Sequence, residues 1–136
     1  MPAGYSGTPL LQKLGIREKM KLLLIAAPGN YFELLEADIS NQLLKKNEIP
    51  DWIHLFATSE KEFLKQMKDL KKFCKVNPEI TIWVSWHKKS SKIPTDITEE
   101  TIRQYALQND LVDVKVCAVS EIWSGLKLVV PVAKRK

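Results

Sequence analysis

The sequence predicts an α/β fold: a mainly parallel, five-stranded sheet between layers of helices, three layers in all, with an antiparallel last strand. Three observations carry this. Apolar runs at 21–27 (KLLLIAA), 52–58 (WIHLFAT) and 79–86 (EITIWVSW) have the length and continuity of strands buried on both faces. Segments with helical spacing separate them, so successive strands are joined by crossovers and run parallel. Two further strand-like stretches, 112–119 and 126–132, are separated by too short a loop for a crossover, so the fifth strand reverses direction.

Each element has its own local reason. Residues 1–8 are Gly-rich and small, and read as an irregular arm. Thr8-Pro9 has the form of a helix cap followed by proline at the first helical position; Leu10, Leu11 and Leu14 give an apolar face, and Gly15 ends the turn. The first strand runs into Pro28-Gly29-Asn30, with Asn30 placed to cap a helix whose Tyr31, Leu34, Leu35 and Asp38 keep helical spacing. Residues 39–49 fit either a longer helix or a break near Asp38 into a loop or short strand. Pro50 introduces the second strand. Ser59 then opens a helix with Phe63, Met67, Leu70 and Cys74 on one face and Lys61, Lys65, Lys68, Lys72 and Lys75 on another, stopped by Asn77-Pro78.

A third helix is expected over 95–111, with Asp96 and Glu99 as its capping box and Asn109-Asp110 at its end. The fourth strand alternates: Val112, Val114, Val116 and Ala118 share one side, and Asp113, Lys115, Cys117 and Val119 the other. Trp123-Ser124-Gly125 reads as the turn into the fifth strand, and residues 133–136 as a solvated basic tail. With no repeat and no low-complexity linker, residues 1–136 read as one domain.

Composition narrows the functional classes. The 136 residues are 45% hydrophobic and 27% charged, enough for a packed core of ordinary type. No apolar run approaches a membrane span, and the N-terminal residues lack the pattern of a secretory signal. Cys74 and Cys117 lie far apart in apolar or helical surroundings, which suits two reduced thiols in a cytoplasmic protein. The net charge of +5 favours phosphates and acidic surfaces in general. No nucleic-acid recognition motif accompanies it, and the lysine stripe at 61–75 reads as the wet face of an amphipathic helix. His54 and His87 are the two histidines, with no ligand spacing between them, so no metal site is expected.

The stretches GYSGTPLLQKLGI, IAAPGNYFELL, IHLFAT, WVSWHKKSSKIPTDITEETIR and VDVKVCAVSEIWSGLKLV resemble a bacterial family of short stand-alone domains of unknown function, over nearly the whole chain. That family usually has proline where this chain has His87, and it brings no established activity with it. More loosely, the half from the second strand onward is similar to the C-terminal half of the Rossmann-like methyltransferase fold, which also ends in an antiparallel pair. The likeness implies a strand order of 1-2-3-5-4, and it transfers no chemistry.

In an open parallel sheet, ligands bind beyond the carboxyl ends of the strands. Here those ends bring Pro28, Gly29, Asn30, Ser59, Ser85, His87, Lys88 and Lys89 to one rim. AAPGN occupies the place of a nucleotide-binding turn, yet it has one glycine where the fingerprint needs three, and Pro28 lacks an N–H. Ser85 and His87 share a strand face but lie too far apart for a ready nucleophile–base pair, and no G-x-S-x-G elbow is present. Lys88 and Lys89, with Ser90 and Ser91 before a helix, suit the binding of a small anion better than catalysis. The sequence thus favours a non-catalytic small-ligand-binding or protein-interaction module using this rim, with no cofactor and no catalytic residue assigned. The alternative is a small methyltransferase-like enzyme holding S-adenosylmethionine or a nucleotide there.

Overall fold

A computed structural model describes residues 9–135. The expected arm at 1–8, with its Thr8 cap, and Lys136 lie outside the described residues.

The strands are β1 (Leu22–Ile25), β2 (Trp52–Phe56), β3 (Thr81–His87), β4 (Val112–Ala118) and β5 (Trp123–Val129). Their order in the sheet is β1-β2-β3-β5-β4, the order the methyltransferase likeness implies. The pairs β1–β2 and β2–β3 are parallel, and β5 runs antiparallel to both of its neighbours. The helices are α1 (Leu10–Lys13), α2 (Tyr31–Leu35), α3 (Glu60–Val76) and α4 (Glu99–Gln108). The sheet separates two apolar layers. On one face Ile53, Leu55, Ile82 and Val84 meet α3 and α4, and on the other Trp52, Phe56, Trp83 and Trp123 lie under α1 and α2. All five residues of β2 are buried, as its unbroken apolar run requires.

At four residues α1 is too short to persist alone, so tertiary contacts must hold it. Two indoles do so: Trp52 Nε1 and Trp83 Nε1 each donate to the Leu14 carbonyl at 2.9 Å. Gly15, at φ +72, then turns the chain away through the left-handed region, as its placement predicts.

Several elements depart from expectation, each for a local reason. α4 begins at Glu99, and its capping box is Thr98 with Thr101. Asp96 serves another helix, its Oδ1 accepting from Glu60 N at the start of α3 at 2.7 Å. Thr95 Oγ1 donates to the Thr58 carbonyl, which fastens this loop beyond β2 and delivers Asp96 there. α2 stops at Glu36, which takes a left-handed conformation, and Leu43 then makes an isolated parallel bridge to Leu22 on the outer edge of β1. Of the two alternatives for 39–49 the break into a loop is therefore the one adopted, with the break at Glu36 and a 3-10 turn at Ser40–Gln42.

In β4 the register shifts between Asp113 and Lys115, so Val114 and Val116 are exposed and the simple alternation fails. Trp123, Ser124 and Gly125 belong to β5. The turn lies ahead of them, closed by Val119 N and Ser120 N donating to the Trp123 carbonyl. The basic tail is partly fixed as well: Lys134 pairs with Asp110 at 2.7 Å, and Arg135 Nε donates to the Val130 carbonyl. Among the described residues no helix is long and apolar enough to cross a membrane.

Gly125 sits in tight packing. A Cβ there would stand 3.1 Å from Val119 Cγ2 and 3.3 Å from Trp83 Cε3. Gly125→Val is expected to lower the unfolding free energy by about 1–3 kcal/mol through overpacking, read from urea denaturation. An unchanged midpoint would contradict that packing.

Candidate functional site

Parallel pairing places the carboxyl ends of β1, β2 and β3 on one edge of the sheet. The loop after β1 leads to α2 on one face, and the loop after β2 leads to α3 on the other. Such a divergence opens a crevice between neighbouring strand ends in doubly wound sheets. Pro28, Gly29, Asn30 and Ser59 stand at this point, with His87, Lys88 and Lys89 further along the same edge.

The rim is built largely from bonds within the chain. The Pro28 carbonyl accepts from Tyr31 N and the Asn30 carbonyl from Leu34 N, while the Asn30 side chain caps nothing. Gly29 is exposed, with open space around its Cα. Ser59 Oγ accepts from Glu62 N, and the Asp96 carboxylate accepts from Glu60 N. The positive end of α3 thus already holds a carboxylate supplied by the chain itself. Lys88 N donates to the Ile122 carbonyl, and the Lys88 carbonyl accepts from Ser91 Oγ at 2.6 Å. Neither the Lys88 nor the Lys89 ammonium has an acidic partner among the described residues.

Ser85 and His87 do not meet. The His87 ring stacks on Trp123 with centroids 4.0 Å apart, its Nδ1 buried without a partner, and desolvation lowers its pKa. Ser85 points into the core, where its Oγ lies 2.7 Å from His54 Nε2, and His54 Nδ1 lies 2.7 Å from the Tyr31 hydroxyl. The β2–β3 register explains this chain. His54 is opposite Trp83 and Phe56 opposite Ser85, so His54 and Ser85 are diagonal neighbours on one face. Tyr31, the first residue of α2, reaches down from above. Spacing along the chain assigns His54 no partner. The signal that could have found its partner is the shared parity of two polar residues on adjacent buried strands.

Connectivity of the form hydroxyl–imidazole–hydroxyl resembles a proton relay, but His54 and Ser85 both have 0% exposure. No substrate carbonyl reaches Ser85 Oγ in this arrangement. Phe56 stacks on the imidazole at 4.2 Å, and burial depresses the His54 pKa to about 3, so the ring is neutral. One ring nitrogen then donates and the other accepts, and each hydroxyl completes its half of the bond. Burial also pushes the Tyr31 phenol up, which keeps it protonated. Cys74 and Cys117 are free, half-buried thiols whose pKa values burial raises. Among the described residues no group of three or more His, Cys, Asp or Glu side chains is placed to hold a metal ion.

With its mixed five-stranded sheet between helical layers, the chain is a Rossmann-like α/β protein. It is similar to a solved structure of a protein in the NADB-Rossmann superfamily from Streptococcus agalactiae, with a TM-score of 0.59 and 10% identity, covering 93% of this chain and 70% of that one. It is likewise similar to an uncharacterized protein from Listeria monocytogenes serotype 4b, with a TM-score of 0.58 and 9% identity, covering 93% and 69%. At these identities the likeness shows the fold alone. No family model matches the chain, and no curated protein does.

Proposed function

We propose that the chain is a single-domain, non-catalytic binding module whose partner, a small anion or a protein, meets the rim through Gly29, Asn30, His87, Lys88 and Lys89. The observation that carries this reading is the Asp96 carboxylate on the N-terminus of α3. A diphosphate or carboxylate ligand would have to displace a covalently tethered competitor from that helix end. Three further features point the same way. The loop after β1 has Pro28 where a cofactor turn would offer an N–H, α2 is five residues long, and Ser85 is turned away from the rim. The unpartnered ammonium groups of Lys88 and Lys89 supply the attraction for an acidic surface or anion.

One observation favours the other reading, a methyltransferase-like enzyme: the strand ends of β1 and β2 diverge where relatives of this fold class take cofactors. Thermal unfolding with S-adenosylmethionine, S-adenosylhomocysteine, NAD and ATP separates the two. Ligand that binds only the folded state raises Tm by mass action. The module reading expects no saturable rise with any of the four. A saturable rise that Gly29→Val abolishes would overturn the module reading and make the enzyme reading the leading one. The open space around Gly29 lets that variant test the ligand without disturbing the fold.

A further inference from the structure

At the opposite end of the sheet from the rim, the C-terminal turns of α3 and α4 part to leave a cavity of about 310 Å³. Its volume is within the range of about 300–1,000 Å³ usual for small-molecule sites. Leu70 of α3, Ile82 of β3, Leu111 and Val130 form apolar walls, and the neutral thiol of Cys74 lies among them. The charged groups sit at the mouth, and they are uneven. Lys134 is neutralised by Asp110, Lys71 Nζ donates to the uncharged Asn109 Oδ1, and Lys75 has no partner among the described residues.

We propose that this cavity binds an aliphatic monocarboxylate, its hydrocarbon tail among the apolar walls and its carboxylate between Lys71 and Lys75. The tail class follows from the walls, where burying apolar surface is favourable and no buried side-chain charge interrupts it. The head class follows from the mouth. It has an excess of positive charge on two flexible ammonium groups and no arginine fork, which suits a single carboxylate better than a phosphoryl group. The inference rests on the chain being a binding module, but not on the rim.

Octanoate is the probe, titrated into the full chain and followed by heteronuclear NMR and calorimetry. Saturable binding is expected, with shifts centred on Leu70, Cys74 and Val130. Octanol, of equal chain length and no charge, should bind about tenfold more weakly, and Lys75→Glu should cost octanoate a similar factor. Cys74→Trp, which fills the cavity, should abolish binding. If that variant does not fold, Lys75→Glu, on an exposed helix position, still decides the matter. Absence of saturable binding, equal affinity for octanol and octanoate, or indifference to Lys75→Glu would each overturn the proposal. Lys89→Glu should leave octanoate affinity unchanged, whereas a loss there would move the ligand to the rim and overturn it too. A cofactor-induced rise in Tm would defeat the module reading by a separate measurement.

Discussion

His54→Ala is expected to lower the unfolding free energy by about 3–5 kcal/mol, enough to consume much of the stability of a domain this size. The substitution removes a fully buried ring that Phe56 stacks on and that Tyr31 and Trp52 meet edge-on. It also leaves the Tyr31 and Ser85 hydroxyls in the core without the partner each holds at 2.7 Å, at a cost of about 1–3 kcal/mol for each such group. The same residue sets an acid dependence. Its folded pKa of about 3 lies below the 6.5 of the free imidazole, so between these values the unfolded state binds more protons. The contribution is fully present above about 6.5 and is lost as pH falls toward about 3, at no more than about 1.4 kcal/mol per pH unit. Denaturant unfolding of the parent and of His54→Leu across this window gives the test. The stability difference between them should shrink on acidification, since only the parent must keep His54 uncharged. A difference that stays constant would show that His54 does not titrate on unfolding. His87 shifts in the same direction, but it is common to both proteins and cancels.

The second large effect comes from the shared carbonyl of Leu14. Trp52→Phe or Trp83→Phe alone leaves that carbonyl one indole donor, so each should cost about 1–2 kcal/mol, mainly lost packing and one hydrogen bond. Combined, they leave a buried carbonyl with no indole partner, and the C-terminal end of α1 loses both hydrogen bonds that tie it to the sheet. The pair should therefore cost about 4–5 kcal/mol, more than the sum of the two single costs by at least about 1 kcal/mol. A double-mutant cycle by urea denaturation reads this coupling directly. Additivity within about 0.5 kcal/mol would mean that the two indoles stabilise the fold independently.

What the sequence discloses follows the range of the forces involved. KLLLIAA, WIHLFAT and EITIWVSW declare their strands because burial on both faces makes each run almost continuously apolar, with His54 and Ser85 as the buried polar exceptions. The wet and dry faces of α3 are equally plain in its lysine and phenylalanine–methionine–leucine spacing. The start of α4 is less legible, since Asp96 and Thr98 are both competent caps. The choice between them is made by Thr95 reaching the Thr58 carbonyl, a contact spanning 37 residues. Val114 and Val116 mislead for a related reason, because a bulge depends on the partner strand and has no local signature here. Of the rim, the loop positions were readable and the inward turn of Ser85 was not. Its destination is a histidine 31 residues earlier, visible only once the β2–β3 register is known. The cavity between the ends of α3 and α4 is hidden in the same way, assembled from four segments that share no motif.

The strand order also has a consequence for synthesis on the ribosome. β3 is central, yet one of its two neighbours is β5, the last in sequence of the five strands described. Until residues 123–129 have left the exit tunnel, the β3 edge from Thr81 to His87 has no antiparallel partner, and Trp83 and Ser85 lack the backbone of Gly125 beside them. An open edge of that length, flanked by Ile82, Trp83, Val84 and Trp86, is a template for mispairing with other nascent chains. The short connection between β4 and β5 shortens the exposure, since β5 follows its other partner by only a few residues. Completion of the sheet is thereby set by translation of its final hairpin, and a chain stalled before Trp123 presents its most central strand to chaperones.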